Sequence, residues 1–217
     1  PELMVVGTED PRFNMNPLLQ KATSIIIGPG LGRSDWGQLL WAEALAYQQA
    51  SGCGMVVDAD ALRFLAEEPA PVLDGSDYSS RVLLTPHAGE ASALLGKETR
   101  HVVKNRLAAL REIGALYGAN VVLKGSGSLI YLAPSNGDNS DIKLCSEGNA
   151  GMASAGMGDV LSGIAGAFLA QGLTCRAGLC ASVCVHGEAA DQAAEDLGQV
   201  GLKASDLLLY IRRLLNF

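Results

Sequence analysis

Residues 23–60 read TSIIIGPGLGRSDWGQLLWAEALAYQQASGCGMVVDAD, and the order of elements within them decides the fold. TSIIIG, residues 23–28, is a dense apolar run that ends in a glycine–proline turn. A run of this kind predicts a strand buried on both faces, as in a parallel sheet. Residues 36–50 are rich in Ala and Leu and predict a helix. MVVDAD, residues 55–60, predicts a second strand that ends on two acids. Two parallel strands need a crossover between them, and a helix is the usual one.

The alternation continues along the chain. RVLLT, residues 81–85, predicts a strand that Pro86 stops. A helix follows over 99–117, then a strand over Val121–Lys124. GSGS turns that strand into Leu129–Leu132, Asn136–Asp141 is a polar turn, and Ile142–Cys145 adds a further strand. Helices are expected over 159–171, 174–196 and 204–214. The pattern predicts a three-layer α/β fold with a mostly parallel central sheet, helices on both faces, and an antiparallel edge within 121–145. GPGLG, DAD, TPHAGE and KGSGS each follow a strand. In an open α/β sheet the carboxyl ends of the strands form the binding crevice, so these scattered segments can meet.

Composition narrows the classes. The 217 residues, 48% hydrophobic, suit one domain over 1–217. Mean hydropathy is +0.21, consistent with a sizeable core. A net charge of −7 argues against nucleic acid as the main partner. No apolar run of about 18 residues free of charges and breakers predicts a membrane span, and no basic–apolar leader opens the chain. The five cysteines, Cys53, Cys145, Cys175, Cys180 and Cys184, contain no CxxC pair. They read as free thiols in a reducing cytoplasm, without zinc-site spacing. The chain opens on Pro1 with ELMVV behind it, which reads as the middle of a domain.

Residues 148–163, GNAGMASAGMGDVLSG, place four glycines and Asp159 directly before an apolar helical run. Exposed N–H groups at a helix start bind phosphate, and glycines let the backbone approach it. Asp159 is therefore a candidate proton acceptor for a hydroxyl that meets phosphorus, or simply a helix cap. In KGSGS, Lys124, Gly125, Ser126, Gly127 and Ser128 can wrap a phosphate, or form an ordinary hairpin turn. Gly30 and Gly32 of GPGLG either shape a tight turn or open room for a sugar or pyridine ring. Asp60 reads as the N-cap of a helix beginning near Ala61, which leaves Asp58 as a long-range ligand or hydrogen-bond acceptor. His87 and Glu90 of TPHAGE lie three apart; Glu90 falls in a first turn if Gly89 starts a helix, and His87 can donate into the crevice. His186, inside an apolar helix, reads as a satisfied packing residue.

Together, IIIGPGLG (25–32), VVDADAL (56–62), LLTPHAGEASALLG (83–96), VVLKGSGSLI (121–130) and GNAGMASAGMGDVLSG (148–163) resemble the ADP- or ATP-dependent NAD(P)H-hydrate dehydratases of the ribokinase-like superfamily. The resemblance runs over nearly the whole chain. Ala88 stands where the family usually has proline, and Ala155 where it usually has glycine. Family members usually carry a further N-terminal strand–turn–helix, so an N-terminal segment is expected to be missing here. The resemblance implies a ribokinase-like fold. It also implies dehydration of the S form of hydrated NADH or NADPH, through phosphorylation of the 6-hydroxyl and elimination of phosphate. ADP or ATP would be the donor, with Mg2+. It implies Asp159 as the catalytic base. Lys124, Gly125, Ser126, Gly127, Ser128, Asn149, Gly151, Met152, Gly156 and Gly158 would lie at the nucleotide. Gly30, Gly32, Asp58, His87, Glu90 and Asp159 itself would lie at the hydrated substrate, with no protein metal ligand. A homo-oligomer, and fusion to or cooperation with an epimerase, are further expectations. The alternatives are a sugar, hydroxymethylpyrimidine or hydroxyethylthiazole kinase on the same fold, or a non-catalytic nucleotide-binding module.

Overall fold

The computed structural model describes residues 3–8, 13–68, 81–135 and 137–216. Pro1 and residue 136 of the expected polar turn lie outside them. The first elements are α1 (Asn16–Leu19), β1 (Ser24–Ile27), α2 (Asp35–Ser51), β2 (Gly54–Val57), α3 (Ala59–Glu67) and β3 (Val82–Leu84). Then come α4 (Ala88–Leu94), α5 (Thr99–Lys104), α6 (Arg106–Tyr117), β4 (Asn120–Leu123), β5 (Ser128–Leu132) and β6 (Asp141–Cys145). The chain finishes with α7 (Met157–Ala170), α8 (Cys175–Leu197) and α9 (Leu207–Leu215).

The six strands among the described residues form one sheet in the order β1-β2-β3-β4-β5-β6. The first four are parallel, and β5 and β6 are antiparallel, so the expected edge is present. The strand order is monotonic. Right-handed crossovers along a monotonic order put every crossover helix on the same face. The core shows this division. Met55, Val57, Val82, Leu84, Val121 and Leu123 face α2–α6. Their alternate neighbours Val56, Leu83 and Val122 face Leu161, Ala165, Leu169, Leu179 and Val183 of α7 and α8. Alternation along a strand sends successive side chains to opposite layers, so both faces must be apolar. The second face is available only to helices that follow the sheet, and α9 then packs outside α8 through Leu207 and Tyr210.

Three expectations are corrected. The 99–117 helix is broken at Asn105, whose ψ of 51° leaves the helical region, giving α5 and α6. The last helix begins with a 3-10 turn at Ala204–Asp206 before α9. The helix expected from 159 starts at Met157. The β1–β2 crossing requires a glycine at 28. Its φ is +126°, and a Cβ there would lie 1.7 Å from the Asp58 carbonyl oxygen. That close approach brings the GPGLG turn against the start of α3.

Candidate active site

The carboxyl ends of β1–β4 deliver the turn at 28–32, Asp58, Thr85 and Lys124 to the same end of the sheet. Asp58, not Asp60, is the N-cap of α3, and its Oδ1 accepts from Ala59 N at 2.9 Å. Asp60 lies in the first turn and accepts from Gly32 N at 2.9 Å, tying the GPGLG turn to α3. The sequence rule fails here because α3 begins two residues early, on an Ala59 with φ +47°. A left-handed alanine costs about 1–2 kcal/mol, and such strain is kept where surrounding contacts enforce it.

Asp58 is the hub. Its side chain is 2% exposed. Lys124 Nζ donates to Oδ1 at 2.9 Å, and Ser162 Oγ of α7 donates to Oδ2 at 2.7 Å. Burial pushes this carboxyl up. The Lys124 charge and hydrogen bonds from Lys124, Ser162 and Thr85 outweigh that and hold it below the usual carboxylate range. Lys124 also lies 3.8 Å from Glu90 Oε2. Gly158 makes room for this ammonium, since a methyl there would sit 3.2 Å from Nζ. The site thus joins residues from β2, α4, β4 and α7.

TPHAGE forms a capping box at α4. His87 Nδ1 accepts from Gly89 N and Glu90 N, and Glu90 Oε2 accepts from His87 N at 2.7 Å. His87 Nε2 lies 3.3 Å from Glu90 Oε1, so the ring is engaged at the helix start while its side chain is 57% exposed. KGSGS is the hairpin turn between β4 and β5. Arg106, at the start of α6, donates to the carbonyls of Leu123, Ser126 and Gly127 and fixes that turn. Gly30 is exposed in its own turn.

The glycine loop is anchored by α8. Asp191 accepts from Gly148 N at 2.7 Å and from Asn149 Nδ2 at 2.9 Å, while Asn149 Oδ1 caps Gly151 N. The Met152 side chain packs on the cluster between α8 and α9. Gly156, with φ +84°, is the N-cap of α7, and no side chain among the described residues caps this helix. Its first intrahelical bond is Val160 N to Gly156 O, at 3.1 Å. The amides of Met157, Gly158 and Asp159 therefore precede the ladder, which is the arrangement that binds anions. Asp159 is the third helical residue, exposed, with no hydrogen bond or ion pair to the described residues.

Ser162, Arg106 and Asp191 were not marked by the sequence. A serine, an arginine and an aspartate on helices are common, and their partners lie far along the chain. His186 also departs from expectation. It is buried, its ring meets the Met157 backbone, and Nε2 has no partner among the described residues. Burial, with the Lys124 charge adding to it against the Met157 hydrogen bond, pushes its pKa down to about 4. An unfolded histidine titrates near 6.5. His186 neutrality therefore stabilises the fold fully above about pH 6.5, and that contribution fades as pH falls toward 4. Over that window wild type should lose up to about 3 kcal/mol that His186→Asn does not lose, read from urea midpoints at each pH.

The sheet order and two-sided helix cover are those of a ribokinase-like α/β protein. Within that class, the chain belongs to the NAD(P)H-hydrate dehydratase family, whose model matches residues 1–213. The bifunctional NAD(P)H-hydrate repair enzyme Nnr of Coxiella burnetii (strain RSA 493 / Nine Mile phase I) is 41% identical over 219 residues, covering 100% of this chain and 41% of that protein. The ADP-dependent (S)-NAD(P)H-hydrate dehydratase of Neisseria meningitidis serogroup B (strain ATCC BAA-335 / MC58) is 39% identical over 190 residues, covering 87% of this chain and 61% of that one. The crystal structure of the Bacillus subtilis ADP/ATP-dependent NAD(P)H-hydrate dehydratase, co-crystallized with ATP/Mg2+, superposes with a TM-score of 0.73 at 26% identity. That match covers 91% of this chain and 68% of that one. The chain spans about two fifths of the length of the bifunctional relatives it matches.

Proposed function

We propose that this chain carries out the ADP- or ATP-dependent dehydration of the S form of hydrated NADH or NADPH. The observation that supports it most is Asp159: an exposed carboxylate in the first turn of α7, unengaged among the described residues, beside helix amides that none of their side chains caps. Those amides, with the glycine loop held by Asp191, suit the phosphates of a nucleotide. Asn149, Gly151, Met152, Gly156 and Gly158 line it from that side, and Lys124 with Gly125–Ser128 from the other. Asp159 accepts the proton of the substrate 6-hydroxyl as its oxygen bonds to the terminal phosphorus and the bridging P–O bond breaks, releasing AMP from ADP or ADP from ATP. Phosphate then leaves with the carbon–oxygen bond electrons as the ring nitrogen lone pair forms an iminium, and loss of a proton from the neighbouring ring carbon to water restores the dihydronicotinamide. Gly30, Gly32, Asp58, His87 and Glu90 belong to the substrate side, where Asp58 and Glu90 act by fixing Lys124.

The residues present fit magnesium held by phosphate oxygens and water. Both Asp58 oxygens are already shared with Ala59 N, Lys124 and Ser162, which leaves that carboxylate poorly suited to ligation. When bound, the ion supplies charge neutralisation at the phosphates. Free thiols at all five cysteines support a reducing, cytoplasmic setting. No helix among the described residues is long and apolar enough to cross a membrane. The bifunctional relatives support an epimerase as the partner activity, on the same or another chain.

Incubation of the protein with hydrated NADH and ADP or ATP tests the reading. Dehydration regenerates the NADH absorbance and releases phosphate. A stable phosphorylated product would indicate a small-molecule kinase, and nucleotide binding without turnover a binding module. In calorimetry, Lys124→Ala should weaken ADP and ATP binding by roughly tenfold to a hundredfold, the loss of one charge-assisted bond. Unchanged affinity would remove Lys124 from the nucleotide site.

A further inference from the structure

A second cluster lies away from Asp58, where the end of β6 meets α8. The Sγ atoms of Cys145 and Cys184 and a carboxylate oxygen of Glu147 all lie within 4.8 Å of one another. Cys145 is buried, and Glu147 and Cys184 are exposed. The Cys145 thiol donates to Glu147 Oε2 at 3.0 Å. No spacing in the sequence announces this set, because Cys184 comes from a different layer of the fold.

We propose that Cys145, Glu147 and Cys184 form a binding site for a thiophilic divalent cation of the zinc group. Zinc takes thiolate sulfur at about 2.3 Å and carboxylate oxygen at about 2.0–2.2 Å, so its tetrahedral ligands stand about 3.8 Å or less apart. Rotation of the two exposed side chains covers the remaining distance. Two sulfurs and one oxygen select a borderline-soft d10 ion over magnesium or calcium. Solvent completes the fourth position, on the exposed side.

Binding exchanges protons for metal. The S–H bonds of Cys145 and Cys184 break, each sulfur keeps its electron pair and donates it to the cation, and two protons go to the buffer. Because both thiols must lose a proton to ligate, affinity rises with pH. The site would tie β6 to α8 on either side of the chain leading to Gly148, whose amide Asp191 of the same helix already holds.

The test is titration of the reduced 217-residue protein with Cd2+, read by thiolate-to-metal charge-transfer absorption. One Cd2+ per chain with the intensity of two thiolates is expected. Cys184→Ser, at an exposed position, should halve that intensity. Glu147→Gln should keep it and weaken affinity by at least about tenfold, since even an outer-shell partner is worth that much. Cys180→Ser should change neither. Absence of the band in wild type, an unchanged band in Cys184→Ser, or an equal loss in Cys180→Ser would each overturn the assignment.

Discussion

Asp159→Asn is expected to cut the rate of dehydration by roughly 10²–10⁴ while leaving ADP and ATP affinity nearly unchanged. The substitution keeps the shape of the side chain and removes its basicity. The helix cap is Gly156, and Asp159 bonds to nothing among the described residues, so a capping role does not compete. The structural loss is limited to the carboxylate's interaction with the helix dipole, about 0.3–1 kcal/mol. Single-turnover rates with hydrated NADH, alongside nucleotide titrations, separate the two effects. A variant within a few-fold of the wild-type rate would remove Asp159 from proton transfer.

Asp58→Ala is expected to destabilise the fold by about 3–5 kcal/mol, because it leaves Lys124 half-buried without its main counter-ion. Glu90 at 3.8 Å compensates in part, which favours the lower end. The loss includes the α3 cap and the acceptor of the buried Ser162 hydroxyl. Urea unfolding measures it, and a change under about 1 kcal/mol would show that the pair contributes little net stability. The sign of the pH dependence follows from the lowered Asp58 carboxyl. Its contribution is complete above the ordinary carboxylate value and is lost as pH falls through the lower folded value. Asp58→Ala should therefore be less acid-sensitive than wild type in that range.

Much of the fold was legible because its signals are local. Short apolar runs such as SIII and MVV must be buried on both faces, and the runs between them have helical composition. The antiparallel edge showed in the short polar connections between β4, β5 and β6. The break at Asn105 did not show, since its residues have ordinary helix propensity and only the backbone angles reveal it. The N-cap of α3 is Asp58 and not the expected Asp60 for a similar reason. Either Asp58 or Asp60 satisfies the capping pattern, and the choice depends on Lys124 and Ser162, 66 and 104 residues away.

The sequence alone determined which segments stand at the carboxyl ends of the strands, and which glycines and acids those segments carry. It also carried the family resemblance, because that depends on motifs that survive as strings. Tertiary structure decided the charge pattern within the crevice. It paired Lys124 with Asp58 and Glu90, left Asp159 unengaged among the described residues, buried His186 behind the start of α7, and set Cys184 against Cys145. The division has a physical cause. Strand and turn formation depends on neighbours in the chain, whereas the protonation and partnership of a side chain depend on whatever other elements the packing of the sheet and helices brings within a few ångströms.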